Sequence, residues 1–92
     1  MNLNQLIKII ISALEDIKAN DIEILDVTKR ATIFDRMIIA SAVSTRQARA
    51  IANNVNDKVK ESGGMSYGTE GEGSGEWVLV DLGDVLVHIM LP

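Results

Sequence analysis

The chain has 92 residues, 47% of them hydrophobic and 24% charged, with a formal net charge of −4; residues 1–92 read as a single small domain with a modest core. The absence of cysteine excludes a disulfide framework and any thiolate metal site, and one histidine leaves zinc only carboxylates for its remaining ligands. The acidic balance argues against a non-specific nucleic-acid binder and is compatible with a positively charged protein partner.

The opening stretch MNLNQLIKIIISALEDIKAN lacks a charged n-region, and Glu15 and Asp16 follow its apolar part. It is therefore not a secretion signal, and no apolar run is long enough to span a bilayer, so a cytoplasmic protein with no membrane contact is expected. Leu3, Leu6, Ile7, Ile10, Leu14 and Ile17 draw one apolar stripe along a helix, predicted to end near Asn20. IEILDV at 22–27 predicts a strand. TKRATIFDR is a connection with a local basic cluster that includes Lys29 and Arg30, and Met37 to Ala40 reads as a short strand covered on both faces.

A second helix begins after Ser44, which stands with Gln47 in the spacing of a capping box. Ala48, Ile51, Ala52, Val55 and Val59 form its buried stripe, and Gly63-Gly64 stops it. Met65 to Thr69, Glu76 to Leu82 and Val85 to Leu91 predict three further strands. The expected fold is α/β: a mixed sheet of about five strands carrying two main helices.

Gly83 and Asp84 can centre a two-residue hairpin. In that register Val80 faces Val87, Val78 faces Ile89 and Glu76 lies near Leu91. Cross-strand partners point to the same side, so Val78, Val80, Leu82, Val85, Val87 and Ile89 share the face to be buried. The opposite face collects Trp77 with Met90, Leu79 with His88, and Asp81 with Leu86. Two helices cannot easily cover both sides of such a sheet. An uncovered face of this kind is an apolar patch with a polar fringe, suited to docking a protein, and tryptophan is the residue type most enriched in binding hot spots. The alternative is that a loop, a chain terminus or a twin subunit covers it, and a register one residue off would swap the faces.

Several of these segments together, LDV at 25–27, FDRMIIAS at 34–41, STRQ at 44–47 and above all EGEGSGEWVLVDLGDVLVHIMLP at 70–92, resemble the ribosomal silencing factor family, also called RsfS, YbeB or iojap-like. The resemblance implies a non-enzymatic factor that binds the large ribosomal subunit through its ribosomal protein fourteen. The bound factor obstructs joining of the small subunit and represses translation. It further implies a fold related to nucleotidyltransferases, in α-β-β-α-β-β-β order, and members that often form homodimers. Carried over by match, the docking positions are Trp77, Asp81, Asp84 and His88, with Leu79, Leu86 and Met90 beside them. Most members have Thr-Gly where this chain has Ser41-Ala42-Val43, and they continue past His-x-x-x-Pro with an aromatic and acidic segment, whereas this sequence stops at Pro92.

GTEGEGSGEW at 68–77 is not a phosphate cradle: its glycines run into a strand rather than a helix, and Glu70, Glu72 and Glu76 repel anions. It reads as a flexible turn ahead of Trp77 with its acids placed to meet a basic partner. The rival reading is a phosphoryl-transfer enzyme of nucleotidyltransferase type, with Glu70 and Glu72 holding magnesium and Asp26 as third carboxylate. No basic group on the phosphates is evident for it, so no catalytic residue, metal ligand or cofactor is assigned. His88 lacks a patterned nucleophile and reads as a structural or interface histidine. Lys29, Arg30, Arg36, Arg46 and Arg49 read as solvated surface, or as minor contacts to ribosomal RNA phosphates, and Tyr67 is expected near Trp77.

Overall fold

The computed structural model describes residues 1–27 and 34–92. Lys29 and Arg30, the centre of the predicted basic connection, lie outside them. Helix α1 spans Leu3–Asp16 and buries Leu6, Ile10, Ala13 and Leu14 on one stripe. Asn2 and Gln5 cap it reciprocally: the Gln5 amide donates to Asn2 Oδ1 at 2.8 Å and the Asn2 amide to Gln5 Oε1 at 3.0 Å. The helix ends earlier than the sequence suggests. Lys18, not Asn20, takes the left-handed conformation at φ 64°, which lets the amides of Lys18 and Ala19 close on the carbonyls of Glu15 and Leu14. Asn20 instead opens strand β1.

Strands β1 (Asn20–Asp26), β2 (Arg36–Ser41), β3 (Gly68–Glu70), β4 (Trp77–Asp81) and β5 (Val85–Met90) form one mixed sheet in the order β1-β2-β5-β4-β3. Only β2 and β5 run parallel; the other pairs are antiparallel. The parallel pair demands a crossover, and helix α2 (Thr45–Glu61) lies within it. The expected α/β order and strand number are those observed. Strand β3 is shorter and later than predicted because its partner β4 ends at Asp81, where the chain turns back. Residues before Gly68 have no strand beside them beyond the Tyr67 amide on the Asp81 carbonyl.

Both helices pack on one side of the sheet. Their buried stripes meet Ile38, Ala40, Val78, Val80, Leu82, Val85, Val87 and Ile89 in a single core, and each large aliphatic side chain removed from water there contributes about 1.5–3 kcal/mol. The capping box predicted at Ser44 is only half formed. Ser44 Oγ accepts from the Gln47 amide at 3.0 Å, but Gln47 Oε1 accepts from the Val43 amide. The Gln47 side-chain amide then donates to the carbonyls of Ile17 and Lys18, at 2.9 and 3.2 Å. A residue expected to serve one helix thus joins the start of α2 to the end of α1.

Candidate functional site

The β4–β5 hairpin adopts the register that its alternation suggests: Trp77 opposite Met90, Leu79 opposite His88, Asp81 opposite Leu86. The Leu82 amide bonds the Val85 carbonyl across a turn centred on Gly83 and Asp84, and the Leu91 amide reaches the Glu76 carbonyl at the other end. Trp77, Leu79, Leu86, His88 and Met90 therefore share the face that carries no helix. Strand β2 adds Met37 and Ile39, which pair with Leu86 and His88. They correct the expectation that Met37 to Ala40 is covered on both sides: Ile38 and Ala40 are buried under the helices, while Met37 and Ile39 are only half-buried. The strand order brings these two residues to the hairpin, and no sequence signal announces it.

Trp77 stands 56% exposed on this face. A depression of about 350 Å³ lies on one side of it, lined by Glu70, Gly71, Leu79, Leu86 and His88, and a second of about 460 Å³ on the other, lined by Glu76, Met90, Leu91 and Pro92. The indole forms a ridge between two hollows. Leu86 differs from expectation in being only 9% exposed although it lies outside the helix-side core; it floors the first hollow.

The indole is held in place. Trp77 Nε1 donates to His88 Nδ1 at 3.0 Å, with ring centroids 5.7 Å apart and planes tilted by 38°. An accepting Nδ1 requires the neutral ring to carry its proton on Nε2. Nε2 is buried and has no hydrogen-bond partner among the described residues. Burial also pushes the imidazole below its ordinary pKa, which keeps it neutral and able to accept. His88 is thus neither a base with a companion nor a free surface cation, but the acceptor that orients Trp77.

Asp81 and Asp84 sit at the turn end of the hairpin. Asp81 Oδ1 accepts from the Gly83 amide at 3.0 Å and so stiffens the hairpin turn. The exposed Asp84 belongs to that turn, where its carbonyl accepts the Asp35 and Arg36 amides. Four residues of strand separate the turn from Trp77, roughly 14 Å. Tyr67, expected beside Trp77, is at the turn end as well: a side chain built on Gly83 would meet its ring. The cause is the antiparallel pairing of β3, which sets Gly68 against Asp81 and leaves Glu70, not Tyr67, toward Trp77.

The glycine segment forms a hydrogen-bonded turn set against α2. The Gly75 amide donates to the Gly71 carbonyl at 3.0 Å. Arg49 of α2 lays its guanidinium on the same turn, Nε donating to the Glu72 carbonyl at 2.8 Å and a terminal nitrogen to those of Gly73 and Ser74 at 3.2 and 3.4 Å. Arg49 is therefore no idle surface charge, whereas Arg46 is exposed. Arg36 pairs with Asp26 at 3.3 Å.

That pairing bears on the phosphoryl-transfer reading. Asp26 lies on edge strand β1 and Glu70 on the opposite edge, β3. Four strand spacings, roughly 19 Å, separate them, too far to share one cation. Among the described residues, no three His, Cys, Asp or Glu side chains gather where they could hold a metal.

Charge is unevenly divided. Residues 1–65 hold nine Lys and Arg against eight Asp and Glu, while residues 66–92 hold five acids and no Lys or Arg. The charged residues of the segment that supplies Trp77, Leu79, Leu86, His88 and Met90 are thus acidic, His88 aside. No helix among the described residues is long and apolar enough to cross a membrane.

Comparison with known proteins points the same way. The model of the family described as "Ribosomal silencing factor during starvation" (RsfS) matches residues 1–92. The ribosomal silencing factor RsfS of Chromobacterium violaceum is 53% identical over 92 residues, which cover all of this chain and 75% of that protein. A crystal structure of a Chromobacterium violaceum protein superposes with a TM-score of 0.97 at 53% identity, covering all of this chain and 77% of that one. A Bacillus halodurans crystal structure superposes with a TM-score of 0.88 at 32% identity, covering 96% and 82%.

Proposed function

The chain belongs to the ribosomal silencing factor family, and from that premise we propose that residues 1–92 act as one docking unit that binds the large ribosomal subunit. The partner is its ribosomal protein fourteen, the bound factor blocks entry of the small subunit, and translation falls. The mechanism is steric and needs no catalysis. It operates where ribosomes are, in the cytoplasm, with any contact to ribosomal RNA minor.

The observation that carries this reading is the exposed Trp77 ridge on a sheet face without helices, with Glu70 and Glu76 lining the hollows on either side. An apolar centre with a polar rim is the anatomy of a protein interface. Glu70 and Glu76 flank the ridge, which suits a partner presenting Lys or Arg around an apolar contact. Trp77 is the anchor, with Leu79, Leu86 and Met90 as its apolar surround and His88 as the group that orients it. Asp81 and Asp84 act from the hairpin turn, at the margin of the surface. A homodimer formed through this face would compete with docking, so dimerisation weakens as subunits are added.

The test is co-sedimentation with purified large subunits. A tryptophan offers up to about 250 Å², so the exposed 56% of Trp77 amounts to roughly 140 Å². Burying that area is worth about 3.5 kcal/mol, roughly a few hundredfold in affinity. Trp77→Ala is expected to stay folded and to lose co-sedimentation at concentrations that saturate the wild type. Equal binding by both proteins would remove Trp77 from the interface. Binding by neither would refute the large subunit as partner.

A further inference from the structure

We infer that Arg49 is a positioning residue for docking: from the helix side of the sheet it fixes the Gly71–Gly75 turn and thereby holds Trp77 ready for the partner. The inference rests on the docking role of Trp77 given above, but its geometry stands alone. Arg49 donates to three successive carbonyls, those of Glu72, Gly73 and Ser74. The Gly75-to-Gly71 bond makes this segment a single helix-like turn, whose carbonyl dipoles converge at its end. A cation there is favoured for the same reason that basic residues favour helix C-termini. The planar fork of arginine can span three acceptors; a lysine ammonium cannot reproduce that geometry.

The turn is also held by the Glu76 amide, which donates to Ser74 Oγ at 3.3 Å, and by the close approach of Gly71 to the Trp77 carbonyl. Its contact with the helix start is the close approach of Gly75 to Thr45, and β3 contributes only three residues of pairing. Seven residues along the same stripe of α2, Asn56 repeats the device. Its side-chain amide donates to Thr69 Oγ1 at 2.9 Å, and its carbonyl accepts from Ser66 Oγ. Two polar side chains two helical turns apart thus grip the segment before Trp77 at both ends. Without the Arg49 grip the turn must be ordered when the partner arrives, and that ordering is subtracted from binding.

Trp77 is the only tryptophan, so its motion can be read directly. Time-resolved fluorescence anisotropy is compared for wild type, Arg49→Ala, Arg49→Lys and the exposed control Arg46→Ala, together with large-subunit affinity and a thermal melt. In the wild type and in Arg46→Ala, Trp77 is expected to tumble with the whole molecule. Both Arg49 variants gain a fast nanosecond component, and Arg49→Ala loses affinity on the order of tenfold, mostly through slower association. Unchanged anisotropy in folded Arg49→Ala overturns the inference, as does an affinity loss matched by Arg46→Ala, which would make Arg49 a general charge. If Arg49→Ala does not fold, Arg49→Lys decides by the same readouts. If neither wild type nor Trp77→Ala binds subunits, the docking reading fails, while the anisotropy arm still decides whether Arg49 positions Trp77.

Discussion

Gly73 and Gly75 are two residues apart in one turn and respond oppositely to the same change. Gly75 has φ +73°, and a Cβ there would come within 2.8 Å of Thr45 Cβ and 3.0 Å of the Thr45 carbonyl oxygen. Alanine in that left-handed conformation costs about 1–2 kcal/mol. The overlap is with the backbone of α2, which cannot swing aside, and adds about 1–3 kcal/mol. Gly73 lies outside the left-handed region and has nothing within 4 Å of a built Cβ. Alanine there keeps only the benefit of a less flexible unfolded chain, about 0.4–1 kcal/mol. Both variants share that unfolded-state effect, so their difference isolates the folded turn. Gly75→Ala is expected to be destabilised by about 2–4 kcal/mol, lowering the melting temperature by roughly 10–20 °C for a domain of this size. Gly73→Ala melts at or slightly above the wild type. Thermal melts by far-UV circular dichroism measure both. If Gly75→Ala melts within about 3 °C of Gly73→Ala, the turn is not seated on α2 and Arg49 has no fixed turn to grip.

The His88 imidazole has its pKa lowered by burial, so its neutral form is favoured when folded. Its contribution to stability is present above the ordinary value of about 6.5 and is lost as pH falls through the lower folded value. Protonation places a second donor opposite Trp77 Nε1, so subunit affinity and the anisotropy of Trp77 should drop together on acidification. His88→Asn, which does not titrate, should flatten that dependence, and an unchanged profile would remove His88 from control of the indole. Gln47→Ala removes the partner of the Val43 amide and two bonds to the end of α1; a loss of about 1–3 kcal/mol in urea unfolding is expected, against less than about 0.5 for the exposed Arg46→Ala.

Strand alternation and hairpin chemistry are local properties, and they were enough to place Trp77, Leu79, Leu86, His88 and Met90 on one face. A period of two leaves each side chain only two directions, and the Gly83-Asp84 turn sets the register. The helical stripes were equally legible, because burial repeats at three and four residues. What the sequence did not carry is everything that depends on elements far apart in the chain. The parallel pairing of β2 with β5 decides that Met37 and Ile39 extend the apolar face, and the opposite edges of the sheet decide that Asp26 and Glu70 never meet. Arg49 read as solvated surface and Gln47 as a cap of its own helix, because a polar residue serving its own element and one facing a distant carbonyl have the same local pattern. Their partners lie 23 to 30 residues away, and only the packing of α2 against the sheet and α1 brings them within reach. The sequence determined which side chains share the face, since that is fixed by geometry along one strand; the tertiary structure decided which of them are held still, since that depends on contacts between elements.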